Sequence, residues 1–188
     1  VVGKVGTQPV WAHELQQALE QESGSNPKII SREKVVQEIK AWKRSGQCVV
    51  FTNGCFDLLH HGHIKLLQQA AALGQRLVVG LNSDASVRRL KGEERPVLAQ
   101  QERATILAAL ECVDRVVIFD QDTPERLLRD IQPDVLVKGG DYREDEVVGR
   151  DIVLGSGGRV ELVPIAEQVS TSDLIRSILR QKGAEGNT

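Results

Sequence analysis

CVVFTNGCFDLLHHGH, residues 48–63, decides the fold. Its first half is apolar and rich in β-branched residues, the composition of a strand buried on both faces. Gly54 then permits a tight turn, and a helical period begins near His61. Strand, turn and helix in that order form the opening unit of an alternating α/β chain. Three of the chain's four histidines fall within residues 60–63 of this same junction.

The pattern repeats outward. Apolar runs recur at 76–82, 115–119, 134–138 and 159–165, and helical periods lie over 63–73, 99–110, 123–131 and 172–179. Strands that are apolar nearly throughout, alternating with helices, predict a Rossmann-like, doubly wound parallel sheet. Ligands of such a sheet lie beyond the carboxyl ends of its strands. Ahead of the first strand, Ser31 reads as an N-cap, and Val35, Val36, Ile39 and Trp42 form a helical stripe ending at Ser45-Gly46.

Residues 21–28, QESGSNPK, have the composition of a solvated linker. It divides residues 1–20, too poor in apolar side chains to fold alone, from a domain over 29–182 and a disordered tail at 183–188. Methionine is absent and the chain opens on Val1-Val2-Gly3, which reads either as initiator removal or as a piece of a longer polypeptide, the second being the expectation.

The 24 Lys+Arg against 26 Asp+Glu leave a net charge of −2 over 188 residues, so no nucleic acid or anionic membrane surface is expected as a partner. No apolar run approaches a membrane span and no charged-then-apolar stretch reads as a leader, so neither secretion nor membrane insertion is expected. Three cysteines without a CxxC pair point to the reducing cytoplasm.

His60 and His63, three apart across a helix start, can both aim at one anion. The unpaired amides of that start carry the positive end of the helix dipole. Imidazole donors beside free amides suit a phosphorus centre that gains negative charge when attacked. His61, between them, is expected to face away. The alternatives are a cap or a packed surface histidine, and a zinc site; the pair is not HExxH and no third ligand stands at fitting spacing, so no metal-ligand set is assigned.

The run 82–97 with its continuation carries Arg88, Arg89, Lys91, Arg95 and Arg103. A charge run is ordinarily a solvated loop, but at the carboxyl end of a strand it can close over a triphosphate. Asp57 reads either as a polar contact to substrate or turn, or as an Asx cap. Lys138 reads as a strand-end lysine or as a cation pointing into the same cleft. Ser170-Thr171-Ser172 reads as an N-cap. Cys55 has no base beside it to make it a nucleophile.

TNGCFDLLHHGH resembles the TxGxFDxxHxGH signature of the nucleotidyltransferase superfamily, in its cytidylyltransferase-like group. VSTSDLI, residues 169–175, resembles the ISTTxI motif with which that family holds nucleotide phosphates. The stretches NSDASVRRLKG, RPV, ECVDRVV, DTPERLL and PDVLVKGGDY follow the order of the branch that makes ADP-activated heptose for lipopolysaccharide. VVGKVGT at the start resembles the end of a ribokinase-like sugar kinase, which would make residues 1–20 a remnant of a preceding kinase domain. Glu111 and residues 165–168 replace arginine-bearing stretches of the cytidine-using branch, which disfavours CTP with glycerol 3-phosphate.

The resemblance implies adenylyl transfer from ATP to D-glycero-β-D-manno-heptose 1-phosphate, giving ADP-heptose and pyrophosphate. It implies His60 and His63 on the α-phosphate and Lys91 as a mobile cation. Thr52, Cys55, Phe56, Asp57, Gly62, Ser170, Thr171 and Ser172 would hold the nucleotide, and Lys138 and Asp141 the acceptor. Mg²⁺ would accompany ATP without protein ligands. ATP and the sugar 1-phosphate would be the partners, with a homodimer and a fused or separate sugar kinase also admitted. The alternatives are a cytidylyltransferase for a small phosphate, and a nucleotide-binding module without turnover. A class I aminoacyl-tRNA synthetase would need a KMSKS-type loop and a tRNA-binding domain, which the chain lacks.

Overall fold

The computed structural model describes residues 26–140 and 143–164. The expectations for residues 1–20, most of the 21–28 linker, Asp141, Ser170–Ser172, the 172–179 helix and the 183–188 tail lie outside them.

Five parallel strands form one sheet: β1 (Val49–Gly54), β2 (Arg76–Asn82), β3 (Arg115–Phe119), β4 (Val135–Gly139) and β5 (Arg159–Val163), in the spatial order β3-β2-β1-β4-β5. The apolar runs place them because alternate residues of each strand feed two separate cores. Val50, Leu77, Val79, Leu81, Val116, Val135 and Val137 face one way. Val49, Phe51, Val78, Val117 and Leu136 face the other.

Helices cover both faces. The first core is closed by α2 (His61–Ala71) through Leu66, Leu67 and Ala70, and by α4 (Gln100–Ala109) through Ala104, Leu107 and Ala108. The second is closed by α1 (Arg32–Arg44), α5 (Glu125–Ile131) and α6 (Arg150–Gly155), through Val35, Ile39, Leu127, Leu128, Ile131 and Val153. The chain winds from β1 towards β3, then crosses to β4 on the other side of β1. The crevice between β1 and β4 is therefore the switch point of the sheet.

Ser31 caps α1 as expected, its hydroxyl accepting from the Lys34 amide. One helix was not foreseen among the strand-end segments: α3 (Asp84–Lys91) occupies the charge run expected as a loop. Ser83 caps it, with its hydroxyl accepting from the Ser86 amide, and Gly92 at φ 101° ends it. The Ser83 cap ahead of Val87 was the available signal, hidden by the run of charges. α6 was likewise not foreseen; at six residues it is too short to show a period.

The outer edge of β3 is closed by the segment before α1. Ile29 bridges Val116, the Ile30 amide donates to the Val116 carbonyl, and the Val116 amide donates to the Lys28 carbonyl.

Gly80 in β2 is required by packing. A Cβ there would stand 2.7 Å from the ring of Phe51, which is fully buried and has no room to yield. Gly80→Ala is expected to cost about 1–3 kcal/mol through overpacking, read as a lower denaturation midpoint at unchanged slope.

Candidate active site at the first strand-to-helix turn

β1 is fully buried from Val49 through Thr52 and opens towards solvent at Asn53 and Gly54. The chain then turns through Phe56, which takes a left-handed φ of 44°. Such a backbone costs energy for a bulky residue and persists only where its surroundings hold it. Here they do. Arg103, from α4, is wholly buried and donates to the carbonyls of Cys55 at 2.5 Å, Asn82 at 3.0 Å and Leu98 at 3.0 Å, and to the Asp84 carboxylate at 2.7 Å.

Asp57 supplies the second tie. It is 2% exposed, and its carboxylate accepts from Arg95 Nε at 2.5 Å and from the amides of Val97 at 2.7 Å and Leu98 at 3.2 Å. Both oxygens are occupied. Asp57 therefore anchors the 95–98 loop, in line with the loop-holding one of its two readings.

The turn delivers two histidines to the start of α2. His60 is the N-cap residue, with no side-chain cap bond, and the first turn holds no acidic residue. α1 and α3, by contrast, carry a serine cap and an acid in the first turn. The amide end of α2 is thus left open to an anion. The rings of His60 and His63 lie 3.8 Å apart between centroids, tilted by 32°, and Phe56 meets His63 edge-on at 5.2 Å.

Burial, the neighbouring His60 ring and a weaker opposing pull from the Leu58 carbonyl set the His63 pKa, pushed down to about 4. Burial also lowers that of His60. At neutral pH both rings are therefore neutral hydrogen-bond donors. The Nδ1 atoms of both, and the hydroxyl of Thr52 below them, are buried with no hydrogen-bond partner among the described residues. Unpaired buried polar atoms are uncommon and cluster where a ligand completes them.

The basic run divides. Arg89 pairs with Asp122 and Asp120, Arg95 with Asp57, and Arg103 with Asp84. The expectation that all five bases close over a triphosphate is corrected: carboxylates from distant segments claim three of them, which spacing along the chain cannot reveal. Arg88 and Lys91, exposed in the last turn of α3, pair with no acid among the described residues. Burial raises the Cys55 pKa, with Lys91 and Arg103 opposing, so the thiol stays protonated at neutral pH and is a poor nucleophile.

Lys138, at the end of β4, donates to Asn53 Oδ1 at 2.6 Å. Gly62 is buried in the first turn of α2. Asp141 and Ser170–Ser172 fall outside the described residues. No group of three His, Cys, Asp or Glu fit to hold a metal ion occurs among the described residues. No helix among them is long and apolar enough to cross a membrane. Sequence reasoning missed Arg103 as the organiser of the turn and Asn53 as the partner of Lys138. The arginine's place in the basic run disguised the first, and the register of β1 on β4 was the signal for the second.

A parallel sheet with a histidine pair at its first β-to-α turn defines a Rossmann-like α/β protein. The chain belongs to the cytidylyltransferase-like family, whose model matches residues 51–181. It is similar to the bifunctional protein HldE of Geobacter metallireducens, 55% identical over 185 residues, 98% of this chain and 38% of the relative. The bifunctional protein HldE of Syntrophotalea carbinolica is 54% identical over 180 residues, 95% of this chain and 37% of the relative. The chain thus spans little more than a third of the curated relatives it matches. Among solved structures, a lipopolysaccharide core biosynthesis protein from Thermoplasma volcanium matches over 66% of this chain and 100% of its own, with a TM-score of 0.54 and 28% identity.

The lowered His63 pKa has a consequence for stability. Unfolding frees the ring to take a proton near pH 6.5, whereas the folded ring resists until about pH 4, so stability falls as pH drops through that window. His63→Ala should flatten the pH dependence of unfolding free energy between pH 6.5 and 4 relative to the parent. Denaturant titrations across that range measure it.

Proposed function

We propose that this chain is a nucleotidyltransferase domain that moves the adenylyl group of ATP onto D-glycero-β-D-manno-heptose 1-phosphate. The observation that carries the reading is the close histidine pair over an uncapped helix start, with the Nδ1 atom of each ring and the Thr52 hydroxyl buried and without a partner among the described residues. Family membership and the bifunctional relatives support the reaction class. The solved lipopolysaccharide core biosynthesis protein supports the carbohydrate setting.

In this reading an oxygen of the sugar phosphate attacks the α-phosphorus, and the bond from that phosphorus to the leaving oxygen breaks to release pyrophosphate. The attacking oxygen is already anionic at neutral pH and requires no base. Catalysis rests on positioning and on donors aimed at developing charge. His60 and His63, as neutral donors, and the α2 amides take the α-phosphate. Lys91, on a helix end, reaches the outer phosphates. The backbone at Cys55 and Phe56, with Gly62 and Thr52, lines the nucleotide; Ser170, Thr171 and Ser172 would complete its phosphate contacts, and Lys138 and Asp141 would meet the acceptor.

Mg²⁺ accompanies ATP in such chemistry and offsets phosphate charge. Among the described residues the turn offers it no free carboxylate: Asp57 is committed to Arg95 and two amides. The ion would ride on phosphates and water. The relatives' greater length and their description as bifunctional support residues 1–20 as part of a preceding sugar-kinase domain, with the whole acting in the cytoplasm where ATP is made.

Pyrophosphate release from ATP or CTP, measured across sugar 1-phosphates and polyol phosphates, tests the assignment. ATP with the heptose phosphate should be preferred. Selective use of CTP with glycerol 3-phosphate overturns the substrate, and nucleotide binding without any pyrophosphate overturns the enzyme. His63→Ala should lower turnover by ~10²-fold or more with the fold intact by circular dichroism. Turnover within a fewfold of the parent removes His63 from the mechanism.

A further inference from the structure

Phe56 is the odd residue of the histidine turn. Its backbone takes a φ of 44°, a left-handed region that bulky side chains rarely adopt. Glycine, the residue suited to that region, stands two positions earlier, at Gly54. A large ring kept on a strained backbone points to a task for the ring itself.

The ring is 4% exposed and joins the first core. On one side it lies against Gly54, where an added Cβ would stand 3.1 Å from Cε2, 3.4 Å from Cζ and 3.5 Å from Cδ2. On another it meets the imidazole of His63 edge-on, with 5.2 Å between centroids and 61° between planes, a favoured aromatic arrangement. His63 in turn has the His60 ring beside it at 3.8 Å, tilted by 32°. Phe56 is thus wedged between the glycine of the turn and its second histidine.

An imidazole is easily misaimed. The outer torsion of a histidine is broad and roughly twofold, so packing must choose the plane of the ring and the nitrogen that leads. A donor directed at developing charge is effective when its direction is set beforehand. The same packing shields the ring from water. Burial is the largest influence on its titration, ahead of the His60 ring and the Leu58 carbonyl, and its pKa is pushed down to about 4.

We propose that Phe56 is a positioning residue for the transfer: its ring, turned back over Gly54 by the left-handed backbone, holds the His63 imidazole in the plane that directs it at the reacting phosphate. The reaction served rests on the transferase reading; the hold on His63 rests on the geometry. The strain at Phe56 then has a reason, since an ordinary backbone there would aim the side chain elsewhere. The ring acts through His63 and not on the reacting atoms.

Histidine titration by NMR and steady-state turnover on the full chain test this together. ATP and D-glycero-β-D-manno-heptose 1-phosphate are the substrates, and loss of a signal in His63→Ala assigns His63. Phe56→Leu keeps a buried apolar side chain and removes the ring edge. It should lower kcat by roughly ten- to a hundredfold with KM for ATP within about twofold, because the donor is misaimed and not deleted. Its His63 should titrate about one pH unit or more above the parental value, as water reaches the ring. Gly54→Ala crowds the Phe56 ring without altering any core side chain. It should move the His63 titration and lower kcat by roughly three- to tenfold, and it carries the test if Phe56→Leu does not fold.

Parental kcat and parental His63 titration in both variants overturn the proposal. So does a lowered melting temperature with the His63 titration unmoved, which marks Phe56 as a core residue only. A His63 titration that moves in both variants of a chain releasing no pyrophosphate supports the hold on His63 and overturns the transferase reading instead.

Discussion

The buried guanidinium of Arg103 is the interaction on which the site's shape depends. It joins the carbonyl of Cys55, the carbonyl at the end of β2, the carbonyl of Leu98 and the carboxylate that opens α3. Each belongs to a different segment at the carboxyl edge of the sheet. A planar five-donor group suits such a convergence, where a lysine would satisfy fewer partners in fixed directions. By holding the Cys55 carbonyl it fixes the peptide that leads into Phe56, whose left-handed backbone would otherwise relax and carry His60 and His63 with it. Asp57 repeats the tie from the other end of the turn, so the histidine junction and the 95–98 loop form one body.

The electrostatics follow from this packing. Burial in this turn lowers the pKa of both histidines and leaves their Nδ1 atoms without partners among the described residues. Across the crevice, the described partner of Lys138 is the side-chain amide oxygen of Asn53. The junction concentrates hydrogen-bonding capacity that the chain itself does not use. That is the condition for donors to meet an anion without first letting go of internal partners.

Much of this was legible in the residues because the signals were local. VVF, LVVGL, RVVIF and VLV are apolar on both sides, so no alternative to a buried parallel sheet fitted them, and each strand from β1 to β4 lies within a residue of its run. The histidine turn was legible because glycine, helix start and imidazole spacing lie within twelve residues of sequence. The basic run was not. Which of Arg88, Arg89, Lys91, Arg95 and Arg103 stays open depends on Asp57, Asp84, Asp120 and Asp122, brought together only by the fold. α3 was hidden for a related reason: its charges disguised a capped helix whose buried side is Ser86 and Val87 alone.

The segment running beside β3 bears on how copies of this domain can meet. Because residues 28–30 already take the amide and carbonyl of Val116, a neighbouring strand would find that position of the flank occupied. At the opposite flank, β5 carries the Arg159 and Glu161 pair along its half-exposed length. Among the described residues, a strand continuing the sheet would thus meet the Val116 position of β3 already taken and a charged pair on β5.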